Sequence, residues 1–260
     1  MLDFFALLIY NVNITKKEVN IMKLTKILSL ILAVICCFSL LVACTVDNGD
    51  GGDGEGGEPV SFDNPKELYL NAIEYMNSHA YKQTVVVSTQ SNSELIPPST
   101  ITETTFYDGP NSRTISEAEG LTTTYFEGVM YVEKGDHKKK MEVDIDEIAG
   151  EYGVSTNLEM EQINALSEDD FVLTVNPDGT ATVEFTAEFP YVGPTKYTVV
   201  INSYGRIVNY NMEFTMSVMD ITATTLYETT VEYGTQYKVY APENADEFTV
   251  AESLNDLMGV

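Results

Sequence analysis

The chain has no tryptophan, two histidines and three cysteines, and its 14 basic residues face 40 acidic ones among 260. Each shortage excludes something. His79 and His137 have no second His or Cys at ligand spacing, so no metal site is expected. A Ser-His-Asp arrangement lacks support for the same reason, and there is no Gly-x-Ser-x-Gly elbow. No Gly-rich loop joins a strand to a helix in the way that cradles phosphate. The carboxylate run Glu168-Asp169-Asp170 reads as a solvated turn rather than a general acid/base pair. No catalytic residue and no cofactor are therefore expected, and the chain does not read as an enzyme. A net charge of −26 repels nucleic acid, whose binding rests on neutralising phosphates, and disfavours flat docking on anionic lipid heads.

The few cysteines sit at one end. From Met22 a basic start (Lys23, Lys26) leads into an uncharged, mostly apolar run from Ile27 to Ala43, which has the parts of a secretory signal. Its 17 residues fall just short of the roughly 20 that span a bilayer. The run closes on Leu41-Val42-Ala43-Cys44, which resembles the lipobox of bacterial lipoproteins. That resemblance implies cleavage before Cys44 and a diacylglycerol on its thiol; the alternative is an uncleaved membrane helix with an incidental cysteine. Cys36 and Cys37 follow Ile35 and Cys36 and lack the small residue the motif needs, whereas Cys44 follows Ala43. A lipid with two or more chains anchors stably where one chain is marginal.

The expected organisation is a signal peptide over 1–43, a lipidated cysteine with an acidic Gly-rich linker over 44–61, and a single domain over 62–260. Residues 1–21 place a second apolar piece in front of the signal, so Met22 is the expected true start. The mature part carries 10 basic and 38 acidic residues, hence a net charge of −28, and Cys44 is its only thiol, which excludes internal disulfides. Asp47 to Glu58 alternates Asp and Gly. It reads as an extended tether rather than a calcium loop, because no helix enters it from the amino-terminal side.

Beyond the linker, Asn64 to Tyr81 carries a helix signature. Asn64 suits the N-cap, Pro65 the first turn and Glu67 the reciprocal position, with Leu68, Tyr69, Ala72, Ile73, Met76 and Ala80 as an apolar stripe. The period then becomes two. Strands are expected at Thr84–Ser88, Ile101–Tyr107, Leu121–Glu127, Val129–Glu133, Phe171–Val175, Ala181–Ala187, Tyr197–Ile201 and Ile221–Tyr233. The most regular expected strand has Val208, Tyr210, Met212, Phe214, Met216 and Val218 on one side and only polar residues between them. Asp144–Tyr152 and Asn157–Leu166 are expected as short helices.

These elements imply an α+β fold: a strongly curved antiparallel half-barrel whose concave face is covered by helices. The order of lipobox, linker, helix, strands, short helices and long meander is similar to that of the LolA/LppX-like lipoproteins. So are Tyr125-Phe126-Glu127-Gly128-Val129-Met130-Tyr131-Val132, leading into Lys138-Lys139-Lys140-Met141, and the close from Tyr233-Gly234-Thr235 to Ala241-Pro242-Glu243-Asn244-Ala245. That family binds lipids or other hydrophobic molecules. The resemblance implies a monomer anchored to the membrane through Cys44, facing the outside of a one-membrane cell or a periplasm. It would bind a lipid-like ligand against Leu68, Ala72, Ile73, Met76, Val208, Tyr210, Met212, Phe214, Met216 and Val218.

Two alternatives stay open. The apolar row can be plain core, and the same fold can serve as a sensor or assembly factor that binds a protein. Lys138 to Lys140 read as a solvated hairpin edge or as a contact for an anionic head group. Replacing Cys44 by Ser is expected to abolish incorporation of radiolabelled palmitate and to free the protein from the membrane fraction; label retained at Cys36 or Cys37 would refute the assignment.

Overall fold

The computed structural model describes residues 59–93, 97–144, 158–189, 192–218 and 221–259. The signal, Cys44, nearly all of the linker and, but for its first residue, the helix expected over Asp144–Tyr152 lie outside these.

Helix α1 (Pro65–Asn77) begins as its sequence dictates. The Glu67 amide donates to Asn64 Oδ1 at 3.1 Å, and Pro65, which has no N–H to leave unpaired, takes the first turn. It stops short of the expected Tyr81, because the Ser78 amide already donates back to Glu74 O and Tyr75 O and the extended pattern starts at Tyr81.

Two meanders follow. The first runs β1 (Tyr81–Ser91), β2 (Ser99–Asp108), β3 (Asn111–Ser116), β4 (Leu121–Phe126), β5 (Val129–Lys134) and β6 (His137–Glu142). After α2 (Leu158–Ala165) comes the second: β7 (Val172–Val175), β8 (Ala181–Phe189), β9 (Gly193–Ile201), β10 (Ile207–Val218) and β11 (Ile221–Tyr233). β12 (Thr249–Val250) and α3 (Leu254–Met258) end the described chain. All strands form one open, curled sheet in the order β12-β6-β5-β4-β3-β2-β1-β11-β10-β9-β8-β7. Every neighbouring pair is antiparallel except β12 beside β6. This is the α+β half-barrel expected, with two strands more in its first half. β3 has no apolar alternation, and β6 has lysines where a strand pattern would have apolar residues.

Turn chemistry sets the hairpins. Glu127 and Gly128 both have positive φ, +48° and +83°, which is the twist-matched two-residue turn between β4 and β5. Asn176-Pro177-Asp178-Gly179 closes β7 onto β8 with Gly179 at φ +84°.

The register places Tyr81, Val85 and Val87 of β1 on the same face as Tyr227 and Val231 of β11, Met212 and Phe214 of β10, and Val183 and Phe185 of β8. Helix α1 buries Leu68, Tyr69, Ala72 and Met76 on this concave face, and α2 adds the fully buried Ile163. Phe185 joins the layers, edge-on to Tyr69 at 4.9 Å and stacked on Tyr197 at 4.7 Å.

A second, smaller cluster lies on the same face at the β4–β6 end. There Val132 and Leu257, both fully buried, meet Leu121, Met130, Met141 and Ala251. Leu257 arrives by way of the other face. After Gly234, whose amide donates to Ala80 O, the chain crosses the convex side, packing Tyr237 near Phe106 and Phe248 edge-on to Tyr131 at 5.4 Å. It then pairs as β12 along β6 and turns over the edge into α3. The opposite edge, β7, is four residues long and leaves Val172 and Val175 largely exposed.

Leu257→Ala removes a fully enclosed side chain, a change that costs about 2–5 kcal/mol. Amide exchange is expected to accelerate in β5 and β6 and to stay slow in β8–β11; uniform acceleration would show that the two clusters do not melt separately.

Candidate functional site

Between α1, α2 and the concave face lies a cavity of about 50 Å³. From α1 it is lined by Tyr69, Ile73, Met76 and Asn77, and from α2 by Glu159 and Met160. The sheet supplies Tyr81 and Gln83 of β1, Tyr197 and Val199 of β9, and Ile207, Tyr210 and Met212 of β10. Ligand pockets for drug-sized molecules hold roughly 300 Å³ or more. In this state the cavity has room for a few waters but not for an acyl chain.

Its polar groups are ordered from the sheet outward. Tyr197 Oη donates to Glu159 Oε1 at 2.9 Å, which ties α2 to β9. Tyr210 Oη donates to Gln83 Oε1 at 3.2 Å, and Gln83 Nε2 donates to Tyr107 Oη at 3.5 Å. Gln83 is fully buried in a strand whose other inward residues include Tyr81, Val85 and Val87. Burial pushes the Glu159 carboxyl up to about 7, against the Tyr197 hydroxyl, whose hydrogen bond favours the charged form. Burial also raises the phenols of Tyr69, Tyr81 and Tyr197, and the nearby Glu159 charge raises Tyr69 and Tyr197 further.

The residues expected at a ligand site divide. Ile73, Met76, Tyr210 and Met212 line the cavity. Leu68 and Ala72 are buried in the α1–sheet core instead. Phe214 is buried and stacked on Tyr227, and Met216 is half-buried against the same cluster. Val208 does not share the inward row. The β9–β10 register slips between Ile207 and Asn209, so Ile207 is the residue buried, at 1% exposure, and Val208 occupies the bulge. Val218 ends β10, and its side chain lies outside the described set.

Glu159, Gln83 and Tyr197 were not foreseen as site residues. A Gln between Tyr81 and Val85 in the inward row of β1 was the legible signal; nothing in the sequence of α2 marks Glu159 among its neighbouring acids.

The lysines of β6 are not a solvated edge. Lys138 is bridged to Glu133 and Glu247, Lys139 to Asp256 at 3.0 Å, and Lys140 Nζ donates to Ala245 O at 2.9 Å. They hold the returning C-terminal segment and are not available as a head-group cradle. His137 Nε2 donates to Leu257 O, and His79 stacks on Tyr75 at 3.9 Å. The carboxylates at 168–170 are exposed; Asp170 caps Ser167, and Asn64 Nδ2 donates to Glu168 Oε1. Among the described residues no three His, Cys, Asp or Glu side chains converge on a metal-sized point. No described helix is long and apolar enough to cross a membrane.

Solved structures resemble the chain only distantly. A LolA superfamily protein from Nitrosomonas europaea matches 70% of this chain and 96% of its own at 8% identity, with a TM-score of 0.33. A putative outer membrane lipoprotein-sorting protein domain from Vibrio parahaemolyticus matches 69% and 94% at 9% identity, TM-score 0.27. A DUF1329 family protein from Desulfovibrio piger matches 67% and 93% at 12% identity, TM-score 0.28. No family model and no curated protein matches the sequence. At these scores the likenesses carry nothing about ligand or partner, and the cavity itself has to.

A carboxyl raised in the folded state binds more protons there than in the unfolded chain. Stability contributed by Glu159 is therefore full below about pH 4.5 and is lost as the pH rises through about 7. Glu159→Gln mimics the protonated form. Urea unfolding is expected to show wild type and variant alike near pH 4.5, with the variant more stable by roughly 3 kcal/mol at pH 8; a difference independent of pH would refute the burial of this carboxyl.

Proposed function

We propose that the protein is a lipid-anchored envelope protein, held at the membrane by acylated Cys44, whose curled sheet takes up an amphiphilic ligand beneath α2 without chemistry. The observation that supports this most is how lightly α2 is held over the cavity. Helix α2 has eight residues, too few to be stable on its own. Its grip rests on buried Ile163, the Tyr197–Glu159 hydrogen bond, and Lys66 Nζ donating to the Asn164 and Leu166 carbonyls. Movement of α2 would join the 50 Å³ cavity to the apolar surface under α1 and open a ligand-sized space. The acidic tether gives reach from the membrane, on the outer face of a one-membrane cell or in a periplasm.

The small cavity itself favours a second reading, in which the filled sheet presents a surface to a protein partner and never takes a lipid. Lipid extraction separates the two. The C44S protein, secreted and purified without detergent, is expected to yield near one mole of an amphiphile per mole by mass spectrometry. Lipid-free protein, with a single cross-linked protein partner captured in intact cells, would replace the carrier by the partner-binding reading.

A further inference from the structure

The walls of the cavity have an unbalanced chemistry. Among the described lining residues is one carboxylate, Glu159, and no Lys, Arg or His. None of the five ion pairs of the described residues includes it. An ionised carboxylate has about four acceptor sites on two oxygens, and the Tyr197 hydroxyl fills one. The nearby Gln83 turns its amide donor toward Tyr107 and its carbonyl toward the Tyr210 hydroxyl, so it brings an acceptor to the cavity side. Charge of one sign, surplus acceptors and electron-rich rings from Tyr69, Tyr81, Tyr197 and Tyr210 all ask for the same occupant.

We propose that this cavity is a binding site for a primary ammonium group. An ammonium offers three donors and the missing positive charge. A trimethylated head carries the charge but no N–H, so it would leave the acceptors of Glu159 and Gln83 unfilled. A divalent metal is a poor fit, because calcium needs six or more oxygen ligands and usually several carboxylates. The site does not depend on an acyl chain entering, since only the ammonium reaches the cavity; a free amine and an amine-bearing lipid head share the chemistry.

The ionised carboxylate is the competent form. The groups facing it are Tyr69 of α1, Tyr81 of β1, Tyr197 of β9 and Tyr210 of β10, and burial raises the first three phenols well above their ordinary value. Glu159 alone therefore sets the pH dependence. With its carboxyl at about 7, the ionised fraction falls roughly 30-fold from pH 8 to pH 5.5, and apparent affinity falls with it.

The test uses the acylated protein in maltoside micelles and phosphate buffer, with ring-labelled tyrosine observed by NMR. Ethanolamine and lyso-phosphatidylethanolamine are titrated against choline, lysophosphatidylcholine and sodium chloride. Saturable shifts at Tyr197 and Tyr210 with an amine and not with its trimethylated counterpart are expected, weakened about 30-fold at pH 5.5. Response to free ethanolamine alone identifies a soluble amine as the ligand source; a stronger response to the lyso-lipid identifies a lipid head. Glu159→Gln should lose at least tenfold in affinity while melting cooperatively. Tyr197→Phe, which keeps the carboxylate but removes its donor, should move the pH midpoint of binding upward. Equal responses to choline or sodium, no response to either amine, or unchanged binding in E159Q would overturn the proposal, whatever lipid co-purifies.

Discussion

The architecture depends on one pairing, that of β1 with β11. Eleven consecutive residues from Tyr81 to Ser91 meet Tyr233 to Ala223 without a slip. Each meander could form from neighbours in sequence, but only this ladder joins them across some 130–150 residues of chain. A register error of one residue here would turn either Val85 and Val87 or Tyr227 and Val231 away from α1 and open the core. It is also the most expensive contact to find, because loop closure must precede any gain from it. Lys82 and Glu232 mark the register from the outside, with nitrogen and oxygen at 2.7 Å.

With the ladder in place, the concave face is divided by what covers it. Under α1 and α2 the wall is aromatic and aliphatic; under α3 it is a smaller patch of Val132, Met130 and Met141. Much of what lies between is hydroxyl. Thr89 pairs with Thr225 and Thr105 with Thr114 through side-chain hydrogen bonds, while the buried hydroxyls of Thr229 and Ser116 have no hydrogen-bond partner among the described residues. β-Branched threonine suits a strand while providing its own hydrogen-bond partner across the ladder. The middle of the sheet is thus lined by short polar side chains, between the apolar wall under α1 and α2 and the patch under α3.

How much of this was legible follows from the reach of each signal. The N-cap at Asn64, the turns at Glu127-Gly128 and Asn176 to Gly179, and the alternation from Tyr210 to Met216 are local, and each stands where its chemistry requires. Val208 misled because alternation cannot announce a bulge, which arises from how β10 meets the turn before it. β6 was hidden because, Glu133 apart, its lysines meet Glu247, Asp256 and Ala245, more than a hundred residues later. The cavity was partly visible: a helix stripe and a strand row named Ile73, Met76, Tyr210 and Met212, while Glu159 acquires its role only from burial beside Tyr197.

The return of the C-terminal segment has a further consequence for association. A curled sheet with two bare margins could add copies at both and grow into a fibre. Here one margin ends in the two-residue β12 with α3 folded over it, too short to template another chain. Among the described residues β7, with Val172 and Val175, offers the longer free edge. A second copy pairing there edge to edge would use that margin in both molecules, and the product would be a closed pair.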